Sequence, residues 1–215
     1  MVFNLSNGNT VANQFIAQLR DRTIQADRMK FRKNLERLGQ VMAYEISRRL
    51  AYHERAIETP LGKSTMMLLN EQPVLFTVLR AGLPFFQGFL DYFDGADCGF
   101  VGAYRREGEQ EIVIQLDYVA SPGVENRDVI LVDPMLATGK SIVRTVDAIL
   151  KVGKPRHLYI ASLVAVQEGI DYIDTNVTDV PYSICTCAID QQLDERFYIV
   201  PGLGDAGDLS FGEKL

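Results

Sequence analysis

The sequence contains no tryptophan, only two histidines and only three cysteines among its 215 residues. Three cysteines cannot all pair with one another, and Cys185 and Cys187 lack the Cys-x-x-Cys spacing of redox and zinc sites. The two histidines, His53 and His157, are far apart and belong to no metal-binding motif. We therefore expect no metal held by the protein alone. Unpaired cysteines favour a reducing, cytoplasmic compartment.

Long apolar runs and an excess of basic residues are also missing. No apolar run approaches the roughly 18 residues of a membrane span, and the first basic residue is Arg20, so we expect no secretory signal. Asp and Glu total 28 against 22 Lys and Arg, which gives a net charge of −6. A negative surface repels the nucleic-acid backbone. We therefore expect neither a membrane nor a nucleic acid as partner.

What is present is an ordinary globular composition, with 47% hydrophobic and 23% charged residues. The length suits one domain over residues 1–215. Apolar segments that are typical of strands alternate with segments of helical periodicity, which predicts an α/β fold with a mostly parallel sheet flanked by helices. The clearest predicted strands are Val74–Leu79, Val129–Val132, Leu158–Val166 and Ser183–Ile189, and the clearest helices are Ile24–Leu50, Lys140–Lys151 and Gln167–Ile173.

The most informative segment follows the predicted strand Val129–Val132. Asp133 ends the strand, and a short loop with Thr138 and Ser141 then opens a helix. In open α/β sheets, ligands bind at the carboxyl ends of the parallel strands. Free amides at a helix start suit a phosphate, and a carboxylate accepts hydrogen bonds from sugar hydroxyls. The segment therefore predicts a site for a phosphate and a ribose.

Two other interpretations of this loop remain. Gly139-Lys140-Ser141 looks like the end of a Walker A loop, which would indicate a nucleoside kinase. The first glycine of that motif would fall on Pro134, and proline has neither the amide nor the conformational freedom that this position needs. Taken alone, the loop could also be a capped turn without a ligand.

Four segments, in this order over nearly the whole chain, resemble the uracil phosphoribosyltransferase family. The resemblance implies a phosphoribosyltransferase-type fold with an N-terminal helical arm (1–55), a β-ribbon (110–122) and a C-terminal base-binding hood (189–215). It implies transfer of the 5-phosphoribosyl group from phosphoribosyl pyrophosphate to uracil N1, which gives UMP and pyrophosphate. The four segments are Leu79–Leu83, Val101–Arg105, Asp133–Ser141 and Tyr198–Asp208 with the following Phe211-Gly212.

By this resemblance, the donor is held by two arginines, by the loop after Asp133 and by one aspartate of the hood. Arginine presents a planar set of donors that matches phosphate oxygens. Asp133 and Asp205 are the implied catalytic residues. The implied donor-binding set is Arg80, Arg105, Asp133, Pro134, Met135, Leu136, Ala137, Thr138, Gly139, Lys140, Ser141 and Asp205.

Uracil, by the same resemblance, is bound in the glycine-rich hood by the backbone of Ile199, Gly204 and Ala206, together with Asp205. Glycine allows the backbone to approach a ligand closely and to adopt positive φ. A flat pyrimidine with alternating donors and acceptors can be recognised by backbone groups. A flexible terminal tail is the alternative interpretation of the same glycines.

The resemblance also implies Mg²⁺ that arrives with the pyrophosphate, a homodimer or homotetramer, and GTP as a possible activator. Two departures from the family pattern bear on activity. Lys140 stands where most relatives have glycine, and a lysine would be strained there if the position needs positive φ. The ribbon over residues 110–122 lacks the usual Tyr…Lys-Leu-Pro run. These departures motivate an alternative function: a catalytically weak sensor of pyrimidine nucleotides that retains the nucleotide site.

Overall fold

The structure, a computed structural model, describes residues 1–105 and 114–213. A short 3₁₀ turn, Leu5–Asn7, follows the first strand. In chain order the elements are β1 (Val2–Asn4), α1 (Val11–Arg20), α2 (Arg28–Ser47), β2 (Tyr52–Thr59), β3 (Gly62–Leu69), β4 (Val74–Leu79), α3 (Leu83–Leu90), β5 (Cys98–Arg105), β6 (Ile114–Ala120), β7 (Asp128–Val132), β8 (Met135–Leu136), α4 (Lys140–Leu150), β9 (His157–Val166), α5 (Gln167–Asn176), β10 (Tyr182–Asp190), β11 (Gln192–Leu193), β12 (Ile199–Val200) and α6 (Ala206–Phe211).

The centre of the fold is an eight-stranded sheet in the order β1-β10-β9-β7-β4-β5-β6, with β8 beside β9. Every pair in it is parallel except β5 with β6. The predicted mostly parallel sheet is thus confirmed. Thr77 of β4 lies opposite Val132 of β7, and Leu79 lies opposite Gly102 of β5. Because these strands run in the same direction, the chain leaves all three at one edge of the sheet.

The apolar strands are buried on both faces. In β7, Ile130 and Val132 belong to one core cluster, whereas Val129 and Leu131 belong to the cluster on the other face. A strand covered on both sides needs an uninterrupted apolar run, since successive side chains point to opposite faces. This is why Val129–Val132 is recognisable in the sequence.

The N-terminal helices are part of the main core. Side chains of α2 such as Leu38 and Met42 share one cluster with Phe85 and Phe89 of α3. The two helices meet at glycines: a Cβ on Gly39 would lie 2.2 Å from the Phe85 carbonyl oxygen, and one on Gly88 would lie 2.1 Å from the Glu36 carbonyl oxygen. Any larger residue at either position would push the helices apart. Helix α1 and strand β1 were not predicted from the sequence, and α2 begins at Arg28 rather than at the predicted Ile24.

Antiparallel pairing occurs in a separate ribbon of β2 and β3 and at the β5–β6 edge of the central sheet. Strands β2 and β3 pair with each other from Tyr52–Leu69 to Thr59–Gly62, and most of their side chains are exposed. Strand β6 pairs with β5 and lies within the ribbon predicted over residues 110–122. Residues 110–113 of that ribbon lie outside the described residues. In the part of the chain that is described, no helix is both long and apolar enough to cross a membrane.

Candidate active site

Three of the four sequence motifs meet at the edge where β4, β5 and β7 end. Arg80 follows β4, Arg105 is the last residue of β5, and Asp133 follows β7. The parallel pairing of β4 with both neighbours brings the three strand ends to one edge, where Arg105 lies three residues beyond Gly102, the partner of Leu79. The side chain of Arg105 lies outside the described part of the structure. This edge is where open α/β sheets bind their ligands.

The loop after Asp133 is fastened to the neighbouring strand β9. The Asp133 amide donates to the Ala161 carbonyl oxygen at 3.0 Å, and the Leu163 amide donates to the Pro134 carbonyl oxygen at 3.0 Å. Residues Met135–Leu136 then pair with β9 as the short strand β8. These contacts attach the first half of the loop, from Asp133 to Leu136, to β9. They thereby fix the position of the turn that follows.

Gly139 makes the turn into α4. Its φ is +76°, and a Cβ there would lie 2.7 Å from the Gly169 carbonyl oxygen. Positive φ and this close approach both require glycine. No side chain of the described residues caps α4, so the amides of its first turn are left for another acceptor, and an anion is the acceptor that a helix start favours.

Lys140 is the first helical residue after that turn. Among the described residues, only Asn126 and Phe197 are non-glycine residues with positive φ. The strain considered for a lysine at this position is therefore absent, because Gly139 takes the left-handed conformation instead. The side chains of Thr138, Lys140 and Ser141 are half-buried beside the loop.

The turn after β4 is packed tightly against the end of β7. Thr77 Oγ1 donates to the Val132 carbonyl oxygen at 3.1 Å. A Cβ on Gly82 would lie 2.1 Å from Thr77 Oγ1 and 3.2 Å from the same Val132 oxygen. The Leu79–Arg80 peptide bond is cis. Gly82 thus lets the arginine segment approach the segment that carries Asp133.

Arg80 joins this edge to the C-terminal hood. Its Nη2 donates to Asp208 Oδ1 at 3.1 Å and to the Gly212 carbonyl oxygen at 3.2 Å. Gly207 lies against the same segment, since a Cβ there would be 3.8 Å from the Ala81 Cβ. Arg80 Nε is buried and has no hydrogen-bond partner among residues 1–105 and 114–213. The arginine motif and the hood therefore form one continuous surface.

The described part of the hood, up to residue 213, packs against the rest of the fold. Ile199 is buried and pairs with Leu193 across the two-stranded ribbon of β11 and β12. Gly204 has a φ of +87°, which glycine adopts readily. Asp205 caps α6 by accepting a hydrogen bond from the Asp208 amide at 2.9 Å, and Ala206, the first helical residue, is buried. These contacts favour a packed segment over a flexible tail.

Residues that the sequence analysis did not assign hold the hood in place. Arg32 of α2 donates to the Ser210 carbonyl oxygen at 2.7 Å. Gln25 Nε2 donates to the Leu203 carbonyl oxygen at 3.4 Å. Asp208 ends the fourth motif, but its contact with Arg80 spans 128 residues of sequence. No local sequence pattern indicates these contacts, so they can be identified only in the folded structure.

Metal-binding capacity at this edge is small. The described residues include no group of three or more His, Cys, Asp or Glu side chains that could hold a metal ion. Mg²⁺ commonly binds through one or two carboxylates, waters and the phosphates of a substrate. The acidic residues Asp133 and Asp205 fit that mode of binding better than a cage made by the protein alone.

Comparisons with known proteins agree with this geometry. The family model described as uracil phosphoribosyltransferase matches residues 7–213. A uracil phosphoribosyltransferase of Porphyromonas gingivalis is 46% identical over 215 residues, 100% of this chain and 99% of the relative. One from Thermococcus gammatolerans is 36% identical over 94% of this chain and 89% of the relative. The structure of the AQ2163 protein from Aquifex aeolicus superposes with a TM-score of 0.87 at 29% identity, covering 99% of this chain and 98% of that one. The chain therefore belongs to the uracil phosphoribosyltransferase family.

Proposed function

We propose that this protein transfers the 5-phosphoribosyl group from phosphoribosyl pyrophosphate to N1 of uracil and releases UMP and pyrophosphate. The observation that carries the proposal is the contact of Arg80 with Asp208, because it joins the sheet edge proposed for the phosphates to the hood proposed for the base. Membership of the family and 46% identity to a relative that carries this enzyme's name support it.

The donor's 5-phosphate is assigned to the loop that ends at Ser141. The uncapped first turn of α4 presents amides, and the hydroxyls of Thr138 and Ser141 add donors. Arg80 and Arg105 are assigned to the pyrophosphate. Asp133 orients the ribose hydroxyls. The remaining donor contacts are proposed for the backbone of residues 134–140 and for Asp205.

The base is assigned to the hood. Backbone groups of Ile199, Gly204 and Ala206 recognise uracil, and Asp205 lies between the base and the donor. Backbone recognition suits uracil, because its edge alternates carbonyl acceptors with N–H donors. A rigid segment is needed for this, and the positive φ of Gly204 together with the capped α6 supports it.

In the reaction, the bond from ribose C1 to the pyrophosphate oxygen breaks while the bond from C1 to uracil N1 forms. Positive charge develops on the ribose and negative charge on the leaving group. Asp133 orients the sugar, and Arg80 and Arg105 stabilise the departing pyrophosphate. The proton on uracil N1 is released as UMP forms and passes to the departing pyrophosphate or to water. Bound Mg²⁺ would neutralise phosphate charge on the donor, and Asp205 and Asp133 are the carboxylates proposed nearest to it.

A homodimer or homotetramer is part of the proposal. The ribbon of β2 and β3 exposes Ile57 and Met66 on one face, Met67 on the other and Leu61 at its turn, with exposures from 37% to 100%. Exposed apolar side chains on a projecting ribbon are typical of a protein-binding surface. The same ribbon carries Glu54 and Glu58 but also Arg55 and Lys63, so a second copy of the chain is not repelled. Analytical ultracentrifugation tests this assembly, and a monomer would contradict it.

Location and activation complete the proposal. The three cysteines are free, and two of them are buried, which suits the reducing cytoplasm. GTP is proposed as an activator on the resemblance alone. Adding GTP to the assay described below tests it, since an unchanged rate would remove GTP from the account.

The sensor interpretation is not favoured. One of its two motives was strain at Lys140, and the helical backbone at that residue removes it. Its other motive concerns the ribbon over residues 110–122, of which residues 110–113 lie outside the described part. Enzyme names are carried by relatives that are 34–46% identical to the chain.

The test is a product assay with purified protein, Mg²⁺, phosphoribosyl pyrophosphate and uracil. Formation of UMP and pyrophosphate in equal amounts is expected. The variants Asp133→Asn and Asp205→Asn test the assigned carboxylates, and both should lower kcat/KM at least about a hundredfold if they act on the reacting atoms. Absence of UMP with the unaltered protein would overturn the proposed function.

A further inference from the structure

A largely buried ion pair joins helix α1 to the beginning of the hood, to which the base is assigned above. Asp190 is the last residue of β10, and its side chain is only 7% exposed. Arg20, the last residue of α1, donates from Nη2 to Asp190 Oδ1 at 2.8 Å and from Nη1 to Oδ2 at 3.0 Å. A carboxylate is buried at low cost only when it is paired in this manner. The two parallel hydrogen bonds fix the plane of the Arg20 guanidinium relative to the plane of the Asp190 carboxylate.

The same pair holds one residue of the hood by both of its backbone groups. The Gly202 amide donates to Asp190 Oδ2 at 2.9 Å, and the Gly202 carbonyl oxygen accepts from Arg20 Nη1 at 3.4 Å. Gly202 has a φ of +55°, and a Cβ there would lie 2.0 Å from the Ile199 carbonyl oxygen. The conformation of Gly202 is therefore specified by the ion pair on one side and by Ile199 on the other.

Gly202 lies between the residues assigned to uracil. It follows Ile199 by three residues and precedes Gly204 by two. The intervening Leu203 is buried, and its carbonyl oxygen accepts from Gln25 Nε2 at 3.4 Å. Gln25 Nε2 also donates to the Leu19 carbonyl oxygen at 2.8 Å. Backbone recognition cannot be readjusted by a change of rotamer. The position of these backbone groups must therefore be set by what lies behind them.

We propose that Arg20 and Asp190 are positioning residues for uracil: their two-point ion pair fixes Gly202, and through it the backbone from Ile199 to Gly204 that recognises the base. Neither side chain is placed at the reacting atoms. This inference rests on the proposed function and adds residues of α1 and β10 to its uracil site. It concerns the base and not the donor, because the donor loop is held separately by β9.

The chain contains a matched control at the opposite end of the sheet. Arg156 donates from Nε to Asp128 Oδ1 at 3.1 Å and from Nη2 to Asp128 Oδ2 at 2.7 Å. Asp128 begins β7, and its side chain is 11% exposed. This pair has the same chemistry and similar burial of the carboxylate. It lies at the amino ends of the strands, away from the hood, and should affect stability alone.

The experiment compares Arg20→Lys and Asp190→Asn with the controls Arg156→Lys and Asp128→Asn. Lysine keeps the charge but loses the two-point geometry, so Arg20→Lys decides the question even if Asp190→Asn does not fold. For each variant we measure KM for uracil, KM for phosphoribosyl pyrophosphate, kcat and the melting temperature.

Arg20→Lys and Asp190→Asn are expected to raise KM for uracil about tenfold or more, because a small misplacement of binding groups weakens binding strongly. KM for the donor should change less than about twofold. The controls should lower the melting temperature without changing either KM. Equal rises in both KM values for Arg20→Lys or Asp190→Asn would overturn this inference but not the proposed function. The same holds if these two variants behave as the controls do. A wild-type protein that forms no UMP would overturn the proposed function and this inference with it.

Discussion

Arg80 and Asp208 form the contact that joins the two halves of the candidate site, with Nη2 of the arginine 3.1 Å from Oδ1 of the aspartate. Both side chains are 36% exposed, so water screens the pair and its contribution to stability is small. Its importance lies in geometry, because it sets the hood against the segment that follows β4. The remaining hydrogen bond of Arg80 to Gly212 acts in the same direction.

Replacement of Asp208 by asparagine should therefore affect substrate binding more than folding. Asp208→Asn removes the charge but keeps the shape, and we expect the free energy of unfolding to fall by less than about 1 kcal/mol. Both KM values should rise about fivefold, or roughly 1 kcal/mol, since the contact serves both subsites. Steady-state kinetics and urea denaturation check this. Asp97→Asn, which loses an ion pair with Arg127 at the other edge, is the control; unchanged KM values in Asp208→Asn would contradict the account.

Gly139 is expected to be intolerant of any side chain. Gly139→Ala forces an L-residue to a φ of +76° and places its Cβ 2.7 Å from the Gly169 carbonyl oxygen. The left-handed conformation alone costs about 1–3 kcal/mol. We expect a loss of stability in that range and loss of donor binding measured by calorimetry.

Gly123 provides the comparison, because a Cβ there meets nothing within 4 Å. Gly123→Ala should change stability by less than about 0.5 kcal/mol. A Gly139→Ala variant as stable as Gly123→Ala would show that the turn into α4 does not need glycine.

Lys140 should contribute charge to the donor site rather than strain. Because it begins α4, Lys140→Ala should alter stability by less than about 0.5 kcal/mol. KM for phosphoribosyl pyrophosphate is expected to rise about threefold to tenfold, an effect that shrinks at high salt because the interaction is electrostatic. KM for uracil should not change. Lys151→Ala at the other end of α4 controls for loss of a positive charge, and an equal effect in both variants would refute a local role.

His157 should make stability depend on pH. Burial lowers its pKa below 6.5 in the folded protein, and Asp128 only partly opposes this. Between the pKa of His157 in the folded protein and its higher pKa in the unfolded chain, the unfolded chain binds more protons. The free energy of unfolding therefore falls as the pH drops from 7 towards 5. His157→Gln, which retains a partner for Ser183 Oγ, should flatten this dependence in urea titrations. Parallel pH profiles for the two proteins would contradict the assignment.

The strands at the centre of the sheet could be predicted because burial on both faces leaves a long apolar run. Strand β4 has the predicted bounds, and β7 differs by one residue. Strand β1 could not be found, since its three residues become a strand only by pairing with Ile184–Thr186 of β10. Helix α2 begins at Arg28 and not at Ile24 because Asp27 caps it through the Lys30 amide.

The candidate site, like the fold, could be predicted from the sequence only in part. The loop from Asp133 to Ser141 carries its pattern locally, as a strand end followed by a helix start, and could be predicted. The conformation at Lys140 could not, because it depends on which neighbour takes the positive φ. The contacts of Arg20 with Asp190 and of Arg80 with Asp208 join residues 170 and 128 positions apart. Side chains brought together over such distances leave no local signature.

The central claim is that one surface binds phosphoribosyl pyrophosphate at the sheet edge and uracil in the hood. The most direct measurement supplies the donor and Mg²⁺ with uracil, cytosine, hypoxanthine, adenine or orotate in turn and identifies the nucleotide formed. The account predicts UMP from uracil and no nucleotide from the other four bases. A nucleotide from another base would overturn the assignment of the hood, and no product from any base would contradict the account as a whole.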